Sequence, residues 1–432
     1  MLSDRSATTV RATLPAVGAA VEDITARFYD GLFAAHPELL RDLFNRGNQA
    51  AGTQRRALAG SIAAFAAHLV DRPDERPDVM LARIAHKHAS LGVAPAQYET
   101  VHRHLFAAIA EVLGDAVTPA VAAAWDEVYW LMANALIAIE ARLYAERGIA
   151  TGADALRAWE VVERIEETPD VATFRLRPAD GTPPPAFRAG QYVSVQVELA
   201  DGARQIRQYS LSGLPGADVR QISVKRVRGG AGPDGEVSAH LHAHARVGDR
   251  LRLSAPYGDL VLDETVLGGL GGRGGRTPAP LLLASAGIGV TPMVAMLDQL
   301  AAAGHRGPVT VVHADRSPAD HALRAAHRAY ADALPDAAVH FWYEHPEPGH
   351  PADRTGRVDL AALPVAPGTH AYLCGPLPFM KAVRSQLLAK GVAPAAVHYE
   401  VFGPDLWLAS PSSSGPVGEA TMSSTVTGSR AA

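Results

Sequence analysis

Cysteine is almost absent from the chain: Cys374 is the only one in 432 residues. One thiol cannot close a disulfide within the chain, build a Cys-rich zinc site or hold a four-thiolate iron–sulfur cluster. Any redox cofactor must therefore be bound without clustered thiolates. The lack of disulfides favours a reducing compartment, and we expect a cytoplasmic protein.

A surplus of charge is missing as well, because 40 Lys and Arg nearly balance 45 Asp and Glu. Without a basic excess, the chain is not expected to bind nucleic acid. The first residues lack the basic and then apolar segments of a secretion signal. Prolines and glycines interrupt the longest uncharged stretch, 277–297, so it predicts a strand, a turn and a helix start. We therefore expect no obligate membrane association.

The chain divides into segments that differ in hydrophobic period, and its length corresponds to about three domains. Apolar residues recur at helical spacing over 1–150, which predicts an all-α domain. A period of two over 151–265 predicts an antiparallel β-barrel of about six strands. Alternating strands and helices over 266–408 predict an α/β domain with a parallel sheet. Residues 409–432 are rich in Ser and Gly and predict a disordered tail.

Two glycine loops in the α/β segment each follow a strand and open a helix. Such a helix start offers backbone N–H groups and a positive dipole to a phosphate, at the sheet edge where ligands bind. In the first loop we expect Thr291 to cap the helix. The residues of the two loops are Gly287, Gly289, Thr291 and Pro292, and then Cys374, Gly375 and Pro376.

Two further features of this half have competing interpretations. The run Gly269–Gly274 fits the dinucleotide pattern better, but it precedes its strand, and we interpret it as a flexible loop within an insertion at 268–276. Cys374 is equally consistent with a small buried residue.

The barrel segment carries a possible phosphate and ring site. Arg207 and Tyr209 alternate onto one face of a strand, and Gly235 opens a helix about thirty residues later. Each motif alone is also consistent with a surface strand or a capped helix. Taken in order, however, Arg-x-Tyr-Ser, Gly-x-Val-Ser, Gly-x-Gly-x-Thr-Pro-Met and Cys-Gly-Pro resemble the ferredoxin–NADP reductase superfamily.

The resemblance implies that the first two motifs bind FAD and the last two bind NADH or NADPH. It places Arg207 at the flavin phosphates, Tyr209 on the isoalloxazine and Phe402 over the side that faces the nicotinamide. Val401 stands where the family often has Cys. The residues implied to contact FAD are Gln191, Tyr192, Arg207, Gln208, Tyr209, Ser210, Gly235, Glu236, Val237, Ser238, Glu400, Phe402 and Gly403.

The helical segment contains six histidines, and its motif order selects among them. Ala26-Arg-Phe-Tyr-Asp, His36-Pro-Glu-Leu, Leu43-Phe-Asn-Arg-Gly-Asn-Gln and Ile84-Ala-His-Lys-His-Ala-Ser resemble, in this order, the globin domain of flavohaemoglobins. The resemblance implies haem b with His88 as the iron ligand. His86 lies about 200° away around the helix and cannot face the same iron.

The same resemblance assigns the rest of the haem pocket. Phe44 would clamp the haem edge, and Leu58 would crowd the sixth position. Tyr29 and Gln54 would donate hydrogen bonds on the distal side. Without the resemblance, Tyr29 is simply interpreted as a core aromatic residue and Gln54 as a surface residue.

Tyr98 and Glu140 match residues that bond near the proximal histidine in the family. A carboxylate that accepts the His88 Nδ1 proton makes the imidazole more electron-donating, which favours oxygen activation over storage. The plain interpretation of Glu140 is an exposed helix residue.

The resemblance therefore implies a monomeric nitric oxide dioxygenase that uses NAD(P)H, FAD and haem to convert NO and O2 to nitrate. Three alternatives remain open from the sequence: an oxygen-binding or sensing globin with a housekeeping reductase, a general NAD(P)H-dependent flavin, ferric or quinone reductase, and a helical partner-binding module without haem. The choice between NADH and NADPH is also open, with the family favouring NADH.

Overall fold

The computed structural model describes most of the chain. The described residues are 1–75, 77–150, 152, 155–229, 233–262, 278–346 and 354–404. The predicted insertion at 268–276 and the predicted tail at 409–432 lie outside these ranges.

The amino-terminal domain is helical, as its sequence period predicts. Val10, Val17 and Ile24 recur every seven residues along the first helix and are buried in the domain core. Ser3 caps this helix by accepting a hydrogen bond from the Ser6 backbone N–H. Its helices are α1 Asp4–Ala35, α2 Pro37–Asp42, α3 Arg46–Ala50, α4 Thr53–Asp71, α5 Asp78–Leu91, α6 Pro95–Leu113 and α7 Pro119–Ala145.

An antiparallel sheet follows. Its strands are β1 Leu156–Thr168, β2 Val171–Pro178, β3 Tyr192–Glu198, β4 Arg204–Ser210, β5 Arg220–Lys225 and β6 Arg250–Ser254, in the order β4-β3-β6-β1-β2-β5. An antiparallel bridge between Leu211 and Ile222 connects the end of β4 with β5, which is the other edge strand. Helix α8, Glu236–His244, buries Val237 and Leu241 in the core of this sheet.

The last domain is the predicted α/β unit. Its strands are β7 Leu281–Ala286, β8 Val309–Asp315, β9 Ala337–Tyr343, β10 Arg354–Thr355, β11 His370–Cys374 and β12 Val397–Glu400, all paired in parallel in the order β10-β9-β8-β7-β11-β12. Its helices are α9 Val290–Ala302, α10 Arg324–Asp332 and α11 Leu377–Ala389. Because β7 and β11 are neighbours, the two glycine loops that follow them meet at one edge of the sheet.

One local prediction is wrong. Thr291 does not cap α9, because a 3₁₀ turn over Gly287–Gly289 runs into the helix and makes Gly289 the cap. The Thr291 hydroxyl instead donates to the Ile288 carbonyl oxygen.

Polar contacts hold the helical domain against the antiparallel sheet. The Ser194 hydroxyl on β3 donates to the Ser90 hydroxyl on α5 at 2.9 Å, and Arg204 on β4 pairs with Asp42 at 2.8 Å. The side-chain NH2 group of Gln205 lies within 3.2 Å of three carbonyl oxygens, two in α2 and one just after it, and donates its hydrogens to them. Among the helices of the described ranges, none combines the length and apolar character that crossing a membrane requires.

The core of the antiparallel domain gives a stability prediction. Phe174 on β2 is fully buried among the sheet side chains, so Phe174→Ala removes its packing and leaves a cavity. We expect the unfolding free energy to fall by about 3–5 kcal/mol, measured by urea denaturation. The control Val247→Ala, at a side chain that is 62% exposed, should change it by less than about 0.5 kcal/mol. A small effect of Phe174→Ala would contradict this packing.

Candidate active site between the helical and antiparallel domains

One continuous cavity of about 1590 Å³ runs from the interior of the helical domain, past β4 and α8, to the segment after β12. Sites for a single small ligand usually measure about 300–1,000 Å³, so this cavity has room for more than one group. The predicted residues that line it are Tyr29, Phe44, Gln54, Leu58, His88, Tyr98, Tyr192, Arg207, Gln208, Tyr209, Ser210, Gly235, Glu236, Val237, Ser238, Thr291, Glu400, Phe402 and Gly403.

The other predicted residues lie behind the cavity wall or at the sheet edge of the α/β domain. They are Glu140, Gln191, Gly287, Gly289, Pro292, Cys374, Gly375 and Pro376. Gln191 supports a loop: its side-chain oxygen accepts from the Arg188 N–H at 2.9 Å, and its amide donates to the Gly258 carbonyl oxygen at 3.4 Å.

His88, Tyr98 and Glu140 form a hydrogen-bonded group at the helical end of the cavity. The Nδ1 atom of His88 lies 2.9 Å from Oε1 of Glu140 and 2.9 Å from the Tyr98 hydroxyl, which donates to the same Oε1 at 2.6 Å. Glu140 is 2% exposed, which excludes its interpretation as a surface residue. Since Nδ1 is taken by these contacts, Nε2 is the nitrogen of His88 that remains for a ligand.

Tyr29 lies in an aromatic group with Phe33 and Phe44. Its ring centroid is 5.9 Å from that of Phe44, and the two rings meet edge to face. Burial raises the pKa of the Tyr29 phenol above its usual value, and the side-chain amides of Gln54 and Gln49 offset part of that rise. The Tyr29 hydroxyl therefore keeps its proton at neutral pH and is available as a donor.

Strand β4, which contains the Arg-x-Tyr-Ser motif, forms the side of the cavity that belongs to the antiparallel domain. Arg207 lies 3.9 Å from Glu236 and donates to the Gln205 side chain at 3.2 Å. Burial lowers the pKa of the Arg207 guanidinium and raises that of the Tyr209 phenol. As predicted, Gly235 opens a helix, and the residues from Gly235 to Ser238 at the start of α8 line the same cavity.

Close backbone approach explains the glycines of the two α/β loops. A Cβ atom at Gly289 would overlap the backbone of Cys374 and Gly375, so the loops after β7 and β11 pack directly together. Gly287 has φ +53°, a conformation that favours glycine. The Cys374 thiol is fully buried, and burial raises its pKa, so this side chain is a core residue and only its backbone belongs to the loop.

The segment after β12 closes the far end of the cavity. Glu400 is buried, and Arg83 and Lys87 are the cations close to it. Phe402 lines the cavity and is 46% exposed, which is unusual for a large apolar side chain and leaves its ring accessible.

Comparisons with known proteins agree with this arrangement. Three family models match in succession: Globin over residues 26–136, Oxidoreductase FAD-binding domain over 158–262 and Oxidoreductase NAD-binding domain over 283–385. The flavohemoprotein of Chromobacterium violaceum is 42% identical over 413 residues, which cover 93% of this chain and 98% of that protein. The chain belongs to the flavohemoprotein family. The flavohemoprotein of Rhizobium meliloti is 40% identical over 416 residues, with 94% and 100% covered.

Solved structures of flavohemoproteins are also similar. The flavohemoglobin of Malassezia yamatoensis, solved with bound FAD and heme, has a TM-score of 0.82 and 39% identity, covering 93% of this chain and 100% of that one. The FAD/NAD-binding domain of a Vibrio cholerae nitric oxide dioxygenase has a TM-score of 0.51 and 36% identity, covering 57% of this chain and 99% of that one.

The structure adds cavity residues that the motifs of this flavohemoprotein did not single out. Lys87 on α5 donates a hydrogen bond to the Gln208 side chain. Arg46 on α3 pairs with Glu236 at 2.7 Å and with Asp201 at 2.6 Å. Both residues lie inside motifs quoted above, but their partners are more than 100 residues away, so the motifs alone do not predict these contacts.

Lys87 gives a prediction about pH. Burial lowers its pKa to about 8 from an ordinary 10.5, so the folded protein binds this proton less tightly than the unfolded chain. The buried charge of Lys87 therefore lowers the unfolding free energy by its full amount below pH 8, and this effect disappears as the pH rises to about 10.5. Lys87→Met should therefore raise the unfolding free energy at pH 7 by up to about 3 kcal/mol.

The gain should vanish near pH 10.5, as measured by urea denaturation over pH 6.5–10.5. Lys390→Met, at an exposed lysine, is the control and should show no such trend. A Lys87→Met protein that is less stable than the parent at pH 7 would contradict the prediction, because it would mean that neighbouring groups compensate the Lys87 charge fully.

Proposed function

We propose that this chain is an NAD(P)H-dependent nitric oxide dioxygenase, a cytoplasmic monomer that uses haem b and FAD to convert NO and O2 to nitrate. The observation that carries the proposal is the single cavity, in which the His88 group at one end is continuous with the Arg-x-Tyr-Ser wall at the other. Similarity to the Malassezia flavohemoglobin with bound FAD and heme and to the Vibrio nitric oxide dioxygenase domain supports it.

The helical end fits haem. Its walls include apolar side chains such as Phe28, Leu58 and Leu136, and His88 offers one imidazole nitrogen. The Glu140 carboxylate accepts a hydrogen bond from the Nδ1–H of His88, which would orient the ring and make Nε2 a stronger electron donor to a metal. When bound, haem supplies oxygen binding and one-electron chemistry, and FAD supplies the exchange between hydride and single electrons.

The chain's own residues then have distinct tasks. The Tyr29 hydroxyl and the Gln54 side-chain amide line the helical end of the cavity. There they would donate hydrogen bonds that stabilise negative charge on oxygen. Leu58 limits the room there, which suits small, uncharged reactants. NO needs no acid or base of its own, so the donors and the apolar wall suffice.

The other end fits FAD. Arg207 and the start of α8 are suited to phosphates, Tyr209 offers an aromatic face, and Ser210 offers a hydroxyl. Glu400 and Phe402 border the same space from the α/β domain. The paired loops at Gly289 and Gly375, at the carboxyl edge of the parallel sheet, are suited to the nicotinamide nucleotide.

Replacing His88 separates this function from the alternatives. His88→Ala should abolish the Soret band and NADH-dependent NO consumption, because the haem iron would lose the imidazole that holds it. Reduction of ferricyanide by NADH should persist, since the flavin wall is unchanged. The control His86→Ala, on the same helix but bonded to the Gly258 N–H, should keep the Soret band. Full NO consumption by His88→Ala would favour a general reductase.

Arg46 gives a second prediction. Glu236 places a carboxylate at the start of α8, where flavin phosphates are expected, and Arg46 from the helical domain neutralises it. Arg46→Ala should weaken FAD binding by about 10-fold or more, because among the described residues Glu236 then keeps only the more distant Arg207, at 3.9 Å, and its carboxylate repels phosphate more strongly. FAD affinity is measured by diluting the protein and following the fluorescence of the FAD that dissociates.

The matched control is Arg204→Ala. It also breaks an ion pair between the two domains, with Asp42, but away from the cavity lining. FAD affinity should change less than about 2-fold. Equal losses in both variants would assign the effect to domain packing rather than to charge.

A further inference from the structure

A buried cluster of three histidines lies in the α/β domain, away from the cavity. His313 lies on β8, His321 lies in the loop that follows, and His327 is on α10. Each side chain offers one ring nitrogen, and these nitrogens all lie within 4.8 Å of one another. The three residues are 0%, 3% and 0% exposed, so bulk water does not solvate them.

Hydrogen bonds fix one side of two of these rings. Nδ1 of His313 lies 2.8 Å from the Ser285 hydroxyl, and Nδ1 of His321 lies 2.9 Å from the Tyr343 hydroxyl. When Nδ1–H donates to such a group, Nε2 carries the lone pair. This arrangement, a ring held through its other nitrogen, is the usual one for metal-binding histidines.

The remaining nitrogens lack sufficient partners. Within the described residues, Nε2 of His313 and Nε2 of His327 are buried without a hydrogen-bond partner, as is Oδ2 of Asp315. Buried polar atoms without partners are unfavourable, and several of them in one place indicate that an ion or another ligand binds there. Oδ2 of Asp315 lies only 3.6 Å from Nε2 of His313, so a carboxylate stands beside the cluster.

The charge state of the rings suits a cation. Burial lowers the pKa of all three imidazoles, which are therefore neutral at pH 7 and keep lone pairs. Asp315 supplies negative charge, and the cations near the cluster include Lys225, which acts on Asp315, and Arg324, which acts on His321 and lies over the Tyr343 ring at 6.0 Å.

We propose that His313, His321 and His327 bind one zinc ion, with the carboxylate of Asp315 beside His313 supplying negative charge. Zinc takes nitrogen and carboxylate ligands tetrahedrally at about 2.0–2.1 Å, which places ligand atoms about 3.3 Å apart. His321 Nε2 and His327 Nδ1 are hydrogen-bonded to each other at 3.2 Å, which is already close to this spacing. Zinc would replace that bond, and the His327 proton would move to Nε2, which now has no partner. The His313 and His321 rings are stacked with centroids 3.8 Å apart, and one nitrogen of His313 lies within 4.8 Å of the ligand nitrogens of the other two rings.

Ligand chemistry selects zinc over the hard cations. Mg²⁺ and Ca²⁺ prefer oxygen ligands, whereas three imidazoles suit zinc. The ion would join β8, its following loop and α10, and so would stabilise this domain. None of the three histidines lines the cavity, so the proposal does not depend on the proposed function.

The test uses the full-length protein with its haem and flavin and without a histidine tag. After incubation with ZnCl2 and removal of loosely bound metal by a weak chelator, elemental analysis gives zinc relative to haem iron. We expect about one zinc per chain. His327→Ala should lower zinc affinity more than 100-fold, since loss of even an outer partner costs about 10–100-fold.

The matched control is His305→Gln in the same domain. His305 is also buried with an unpartnered Nε2 but lies outside the cluster, so its replacement should leave one zinc per chain. No retained zinc in the parent protein, or equal retention by His327→Ala, would overturn the proposal.

A second measurement does not depend on the folding of His327→Ala: X-ray absorption at the zinc edge of the parent protein reports the ligands of the bound zinc. The parent protein should show three imidazole ligands at about 2.0–2.1 Å. Fewer than two would overturn the assignment.

Discussion

The cavity depends on the hydrogen bond between His88 and the buried carboxylate of Glu140. A carboxylate in an apolar core is tolerated only when it is fully partnered, and Glu140 obtains its partners from α5 and α6 through His88 and Tyr98. The bond therefore fixes three helices relative to one another. It also fixes which nitrogen of His88 remains for a ligand.

Helix α5 extends this constraint to the next domain. While His88 points toward α7, its neighbours Lys87 and Ser90 contact Gln208 on β4 and Ser194 on β3. Ser194 also accepts from the Gln208 amide at 2.8 Å. The residues that would hold the metal and the strand that would hold the flavin thus share a short chain of polar contacts, so their separation is set by the packing of one helix.

The sequence predicted what depends on local pattern. Helical and alternating periods predict the helical, antiparallel and α/β segments, and the resemblance to flavohaemoglobins implies that Tyr98 and Glu140 bond near His88. Thr291 was assigned wrongly because a cap residue alone cannot reveal a preceding 3₁₀ turn. Contacts such as Arg46–Glu236 and Ser90–Ser194 join residues 190 and 104 positions apart and depend on how the domains pack, which no local pattern encodes. The histidine cluster was missed for a similar reason, since β8 and α10 must fold together to form it.

The most direct test of the central claim is the stoichiometry of the complete reaction. Purified protein with its haem and flavin is mixed with limiting NADH and with excess NO and O2, and nitrate and oxidised nucleotide are measured together. One NADH supplies two electrons, and each conversion of NO and O2 to nitrate takes one. The account predicts two nitrates per NADH oxidised, whereas NADH oxidation without nitrate would contradict it.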